Sequence, residues 1–405
     1  MKEIKVEDLH NQLHELPGGP DSSMAYFARK ESLIGSIRNL LSGAGFASAD
    51  YPVIEPTELF IRKSGGGITG HLYSFIDPGG NKVSLRPEFT SSVIREYLKE
   101  PIDTENVVKR QYSGPVFRYN DVSTGNTLRQ FTQQGCEIIG ASTTDFDAEI
   151  LRLSLAALSE AGIKSVTVRL GNVGAIRKLL ESYGLSEAIC LYIFSNVGKL
   201  NQNPKKLNGI LSHAVSLGLV KENEHRSGST KEDGSKAESM ELVQSLMAET
   251  LSGNTGRRSR SEIVDRLLKK NSELIGVDVL ESSLQDLSGF LNRMAGDYKS
   301  IEVKSNNHVI DIEQMKYVSD LMNVVGDIGG LEVRFDLDFA SQRGLTYYTG
   351  FIFDLIVGTA SGPLSLGGGG RYDGLVRSLG GDRDVGAVGF AVNVDSIIRY
   401  PETVG

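Results

Sequence analysis

The order in which periodicities occur constrains this chain most. Strand-like and helix-like stretches alternate up to about residue 175, helices alone continue to about residue 325, and strands return from Leu331. Strands separated by so long a helical run belong to one sheet only if the chain leaves that sheet and comes back. The pattern therefore predicts an α+β core built from 1–175 and 331–405, interrupted by a mostly helical insertion over 176–330. A length of 405 residues suffices for one such domain with its insertion. No internal repeat competes with this reading.

Local signals fill in the two halves. "YFARKESLIGSIRNLLSGAGF" has apolar spacing near 3.6 and ends on Gly43 and Gly45, which predicts a helix with a C-terminal stop. "ASADYPVIEPTELF" reads as extended chain punctuated by prolines. "GHLYSFIDPGGNKVSLRPE" reads as two strands joined by a turn at Asp77–Gly80. "FTSSVIREYLKE" reads as a helix that Thr90 or a neighbouring serine caps. "VVKRQYSGPVFRYND", "QQGCEIIG", "SVTVRLGN", "LEVRFDLDF", "GFIFDLIVG" and "GAVGFAVNV" read as strands, and "DFDAEILRLSLAALSEAGI" as an amphipathic helix. Within the insertion, "KENEHRSGSTKEDGSKAES" has almost no apolar content, which predicts a mobile polar loop near 221–239.

Several function classes lose support here. A net charge of -8 leaves no overall electrostatic footprint for nucleic acid, and the basic cluster "GRRSRSE" at 256–262 reads first as a solvated helix start. The two cysteines, Cys136 and Cys190, form no CxxC or Cys/His cluster. Neither a disulfide framework nor a thiolate metal site is expected, and a reducing, cytoplasmic compartment fits. His10 and His14 have the i, i+4 spacing of helix metal ligands but lack a third ligand nearby, so solvent-facing histidines are expected and no metal site. No apolar run is long enough to span a membrane, and the start carries no apolar signal-peptide region.

Three stretches carry chemistry. Arg86, Glu88, Arg118, Gln133 and Glu137 lie on or beside predicted strands, and alternation lets Gln133, Gly135 and Glu137 share one face. Buried charges on such a face need partners or a ligand, so strand ion pairs such as Arg118 with Glu137 and a bound ligand both remain open. In "SQRGLTYYTGFIF", Arg343 beside Tyr347 and Tyr348 suits a carboxylate or a phosphate, or else the tyrosines pack on a strand edge. "LSLGGGGRYDGLVRSLGG" lacks the GK[ST] ending of a phosphate loop. Its four successive glycines signal close backbone approach to a ligand or to another strand.

Together and in this order, these stretches resemble the catalytic core of histidyl-tRNA synthetase. "PVIEPTELFIRKSG" is similar to the first class II motif, which serves dimerisation, and "LRPEFTSS" to the LRPEGT stretch. "VFRYNDVSTGNTLRQFTQQGCEIIG" is similar to motif 2 with its loop and following strand. "RGLTYYTG" is similar to RGLDYY, and "GGGGRYDGLVRSLGG" with "VGFAVNV" to the approach to motif 3. The resemblance covers roughly 20–175 and 331–400. It implies a class II aminoacyl-tRNA synthetase-like antiparallel sheet of six or more strands, flanked by helices. It also implies a histidine pocket of Glu88, Thr90, Gln133, Glu137, Tyr347 and Tyr348, with Arg118 and Arg343 toward the carboxylate and the activation chemistry, and no bound cofactor.

Three positions depart from the synthetase pattern. Ser396 stands where the motif 3 arginine clamps ATP, Asn120 where motif 2 has a glutamate, and Thr346 where RGLDYY has its aspartate. The chain also ends at Gly405, so no anticodon-binding domain is expected. That combination resembles a paralogous family, the regulatory subunits of ATP phosphoribosyltransferase, and "YYTGFIF" is similar to their Y-x-T-G-x-x-F. This second resemblance implies a non-catalytic partner of the short-form catalytic subunit. It would self-dimerise within a hetero-octamer, take histidine as effector, and bind neither tRNA nor membrane. The alternatives are a histidine-activating synthetase and a stand-alone amino-acid-binding module.

Overall fold

A computed structural model of the chain describes residues 21, 23–64, 70–99, 107–119, 128–141, 143–202, 206–221, 275–297, 309–340 and 347–404. Its strands are β1 (Ala47–Ser48), β2 (Ile54–Pro56), β3 (Ser74–Ile76), β4 (Lys82–Leu85), β5 (Val108–Phe117), β6 (Gln130–Ile139) and β7 (Ser165–Asn172). After a helical run come β8 (Ala295–Asp297), β9 (Glu332–Asp338), β10 (Phe351–Thr359), β11 (Gly362–Arg371) and β12 (Ala387–Asn393). Nine of them form one sheet in the order β1-β5-β6-β12-β11-β10-β7-β9-β8, and β2-β4-β3 form a small second sheet. The run from β5 to β7 is antiparallel throughout, whereas β1–β5 and β7–β9 are parallel pairs.

The main helices form where the sequence places them, for reasons visible at their ends. Ser23 caps the helix Met24–Gly43 by accepting from the Tyr26 N–H at 3.3 Å, and Gly45 at φ 86° lets the chain turn away. Ile37 and Leu41 of this helix, with Ala148, Leu151, Leu155 and Leu158 of the helix Asp145–Glu160, cover one sheet face in the main apolar core. Asp145 and Asp147 sit in the first turn of the second helix, where the dipole favours negative charge.

Local details that the sequence reading did not give have physical causes. Extended chain stops at Pro56, because Thr57–Ser64 is helical with Glu58 in its first turn. The glycine run, read as backbone closely approaching a ligand or another strand, is itself an inner strand, β11. Side chains at Gly367 or Gly370 would overlap the Ala391 or Phe351 carbonyl, so those glycines meet neighbouring strands. The helical run contains the short strand β8, paired with β9 at the sheet edge. Its helices Val173–Glu181, Glu187–Gln202, Leu207–Ser216, Val277–Arg293 and Val309–Val325 do not stand apart. Ile189, Ile193, Leu284, Leu287 and Phe290 join the same apolar core as the sheet. The polar loop after Lys221, the "GRRSRSE" cluster, His10 and His14 lie outside the described residues. Among the described residues no helix is long and apolar enough to cross a membrane, and no cluster of side chains could hold a metal ion.

Candidate functional site

The two faces of β6 divide the labour. Cys136 and Ile138 face the main core, and Gln134 Nε2 donates to the Ile34 carbonyl at 3.0 Å. The alternate positions, Gln133, Gly135 and Glu137, turn to the opposite face. There they lie in register with Gly114, Tyr112 and Arg110 on β5, and with Asn393, Ala391 and Gly389 on β12. Gly389 matters because a Cβ there would occupy the space of the Glu137 Oε2 atom and lie 2.6 Å from the Cys136 carbonyl. The strand opposite Glu137 is thus hollowed out for its carboxylate.

Glu137 is 1% exposed, and three hydroxyls converge on it. Thr90 Oγ1 donates to Oε1 at 2.7 Å, Tyr112 Oη donates to Oε1 at 3.0 Å, and Tyr372 Oη donates to Oε2. Charge-assisted bonds of this kind hold an ionised carboxylate in place inside a low-dielectric site. Burial, followed by the nearby Glu137 charge, pushes the Tyr112 and Tyr372 hydroxyls well above the ordinary tyrosine value, so both remain donors.

The Glu88 carboxylate does the capping that the sequence assigned to Thr90 or a serine. The helix Thr90–Tyr97 has Phe89 at its N-cap position with no capping side-chain bond. Glu88 instead accepts from the Ser91 hydroxyl at 2.6 Å and from its backbone N–H at 3.3 Å. Thr90 is thereby available to Glu137. Arg118 Nε donates to the Pro87 carbonyl at 2.9 Å, and its guanidinium lies 5.3 Å from the Phe131 ring centroid, which brings motif 2 beside the Glu88 turn. Arg86, 2% exposed, is structural: it donates to the Pro115 carbonyl at 2.8 Å and to the Tyr51 carbonyl at 2.5 Å. Its guanidinium also covers the Phe89 ring at 4.0 Å.

Aromatic rings wall the site. Phe89 stacks on Tyr112 at 4.4 Å, Tyr347 stacks on Tyr348 at 4.6 Å, and Tyr372 meets Tyr347 edge-on at 5.7 Å. The structure therefore brings Glu88, Thr90, Arg118, Gln133, Glu137, Tyr347 and Tyr348 to one side of the sheet. Arg343, Thr346 and Asn120 lie outside the described residues. Tyr112, Tyr372 and Gly389 were missed from sequence. The signal for Tyr112 was available, since it alternates with Arg110 and Gly114 on β5. Tyr372 was masked by the glycine run before it.

At the rim, Asn393 caps the helix Val394–Val404 by accepting from the Ser396 N–H at 3.0 Å. Asp395 points the other way, fully buried, and accepts from the Tyr26 hydroxyl at 2.5 Å, the Lys30 ammonium at 3.2 Å and the Thr132 N–H at 2.5 Å.

A six-stranded antiparallel run with a parallel strand at its edge, carrying a carboxylate-and-arginine site on one face, defines a class II aminoacyl-tRNA synthetase-like domain. The family model described as Histidyl-tRNA synthetase matches residues 20–202 and 238–397. The chain belongs to that family. Among curated relatives, the histidine–tRNA ligase of Thermococcus kodakarensis is 29% identical over 394 residues, covering 97% of this chain and 76% of the relative. That of Methanosarcina acetivorans is 29% identical over 382 residues, covering 94% and 74%. Among solved structures, an ATP phosphoribosyltransferase regulatory subunit/histidyl-tRNA synthetase from Bacillus halodurans superposes with TM-score 0.63 at 21% identity, covering 97% of this chain and 84% of the other. A histidine–tRNA ligase subunit from Alicyclobacillus acidocaldarius gives 0.55 at 20% identity, covering 96% and 97%. At those identities the two structures speak to the fold alone.

Proposed function

We propose that this chain binds free histidine at the Glu137 site and serves as the non-catalytic regulatory subunit of ATP phosphoribosyltransferase, partnering the short-form catalytic subunit. One observation supports the reading: Glu137 takes three hydroxyl donors on the face matched to the amino-acid pocket, while the position matched to the ATP-clamping arginine is Ser396. In this reading Glu137 and Glu88 take the ammonium and the imidazole N–H, Arg118 and Arg343 take the carboxylate, and Gln133, Tyr347 and Tyr348 fix orientation. A serine hydroxyl cannot stack on adenine or neutralise a phosphate as a guanidinium does. Losing one such contact costs roughly 3–4 kcal/mol of transition-state stabilisation.

The second reading is an active histidine-activating enzyme, and it is favoured by the curated relatives, which bear the name histidine–tRNA ligase. Histidine-dependent ATP–pyrophosphate exchange separates the two. The regulatory reading predicts no exchange. It also predicts a stable complex with a short phosphoribosyltransferase subunit, a change in that subunit's turnover, and sensitivity of that turnover to histidine. Robust exchange by the purified chain, or two separate species on a sizing column, would overturn it.

A further inference from the structure

Tyr372, the donor to Glu137 Oε2, is flanked in sequence by two charged residues that lead away from the pocket. Arg371 spreads its guanidinium over the Asp147 carboxylate (Nε at 2.9 Å, Nη2 at 2.5 Å), the Ala141 and Thr143 carbonyls (2.5 and 2.9 Å) and Asp373 (3.0 Å). Asp147 is 2% exposed, and its other oxygen accepts from Tyr317 Oη at 2.9 Å. Tyr317 belongs to the helix Val309–Val325, part of the run that interrupts the sheet. The same group of residues fixes the turn after Tyr348. The Thr349 N–H donates to the Arg371 carbonyl at 2.8 Å, and the Asp373 N–H to Thr349 Oγ1 at 2.9 Å. The Arg371 side chain also packs closely on Gly350, where a Cβ would lie 3.0 Å from its Cδ. A continuous path thus runs from the helical segment through Tyr317, Asp147 and Arg371 to Tyr372 and to the turn that carries Tyr347 and Tyr348.

A buried ion pair is a poor device for stability alone, because desolvation cancels much of its attraction, but it fixes geometry tightly. Here it stands between a helix and a pocket wall. We propose that Tyr317 is a positioning residue for the pocket: through Asp147 and Arg371 it sets the placement of Tyr372, and so couples the helix Val309–Val325 to occupancy of the Glu137 site. The histidine part of this inference rests on the pocket reading above, whereas the mechanical part does not.

The test uses Tyr317→Phe in the full chain, which keeps the ring near Phe351 and removes only the hydroxyl. Asp147→Asn is the second variant. The control is Lys178→Ala, which removes an exposed ion pair to Glu313 on the same helix. Hydrogen exchange of the ligand-free proteins should show faster exchange confined to 347–353 and 371–376 in both variants, and none in the control. Histidine affinity by calorimetry should fall by about fivefold, the low end of ordinary coupling between sites, in both variants and stay unchanged in the control. Wild-type exchange at those two segments in both variants overturns the proposal, as does acceleration spread evenly over the whole protein, which marks a merely structural role. If the wild type itself fails to bind histidine, the pocket reading falls, and the exchange result still decides whether the helix positions Tyr372.

Discussion

Replacing Gly389 by alanine adds one methyl group at the most sensitive point of the site. Gly389 stands in register with Glu137, and its new Cβ would overlap Oε2 of that carboxylate and lie 2.6 Å from the Cys136 carbonyl. Two responses are open. If the strands part, overpacking of this kind costs about 1–3 kcal/mol. If the carboxylate swings away, it gives up hydrogen bonds from Thr90, Tyr112 and Tyr372, each worth about 1.5–3 kcal/mol when one partner is charged. Parting the strands is the cheaper response and sets the cost, so a loss of about 1–3 kcal/mol is expected. Urea denaturation followed by circular dichroism measures it, with Gly358→Ala as the companion variant. A Cβ at Gly358 meets nothing within 4 Å, so that change should be neutral or mildly stabilising. Histidine binding should disappear in Gly389→Ala and persist in Gly358→Ala. If Gly389→Ala unfolds within about 0.5 kcal/mol of wild type, the hollow opposite Glu137 is not a constraint and the reasoning fails.

Other outcomes follow from the same contacts. Asp395→Ala strips the acceptor from Tyr26, Lys30 and the Thr132 N–H at once, and should lower unfolding free energy by about 3–5 kcal/mol in the same assay. The buried hydroxyls of Tyr112, Tyr347 and Tyr372 are raised well above their ordinary value of 10.0, with burial the leading cause in each. Groups raised in this way favour the fold fully below the unfolded value, and that advantage is lost as the unfolded chain ionises. Unfolding free energy from urea denaturation should therefore hold below about pH 10 and drop above it, at about 1.4 kcal/mol per pH unit for each tyrosine. Tyr372→Phe should flatten that slope by one proton's worth. Glu88→Ala removes the cap on the helix Thr90–Tyr97 and should cost about 1–2 kcal/mol in unfolding free energy, whereas Glu88→Asp should restore part of it.

Most of the sheet was legible because its strands alternate strongly and because their order repeats a known pattern. β5, β7, β9 and β12 fell within stretches read as strands, while β6 begins three residues before its stretch and β10 ends one residue after its own. What failed has local causes. Successive glycines carry no side-chain alternation, so β11 was not read as a strand; their close approach, left open between a ligand and another strand, is to β10 and β12. Thr90 looked like a cap because Ser and Thr usually cap. Nothing in the sequence says that a carboxylate two residues earlier takes that task and leaves Thr90 for Glu137. Of the pocket, the carboxylates were legible as charges on a strand face that needed an explanation. Of their partners, Tyr112 could have been read from its alternation on β5, but Tyr372 could not, because it comes from the far end of the chain and is brought to Glu137 only by strand order. The bridge from Tyr317 to Asp147, 170 positions apart in sequence, was invisible for the same reason.

Titration of the full chain with histidine tests the central claim most directly. The account predicts saturable, one-to-one heat at or below millimolar histidine, lost in Glu137→Gln, whose amide can no longer serve as a charged acceptor for the ligand's N–H groups. Absence of saturable binding by the wild type at millimolar histidine, both alone and with a short phosphoribosyltransferase subunit, would contradict it.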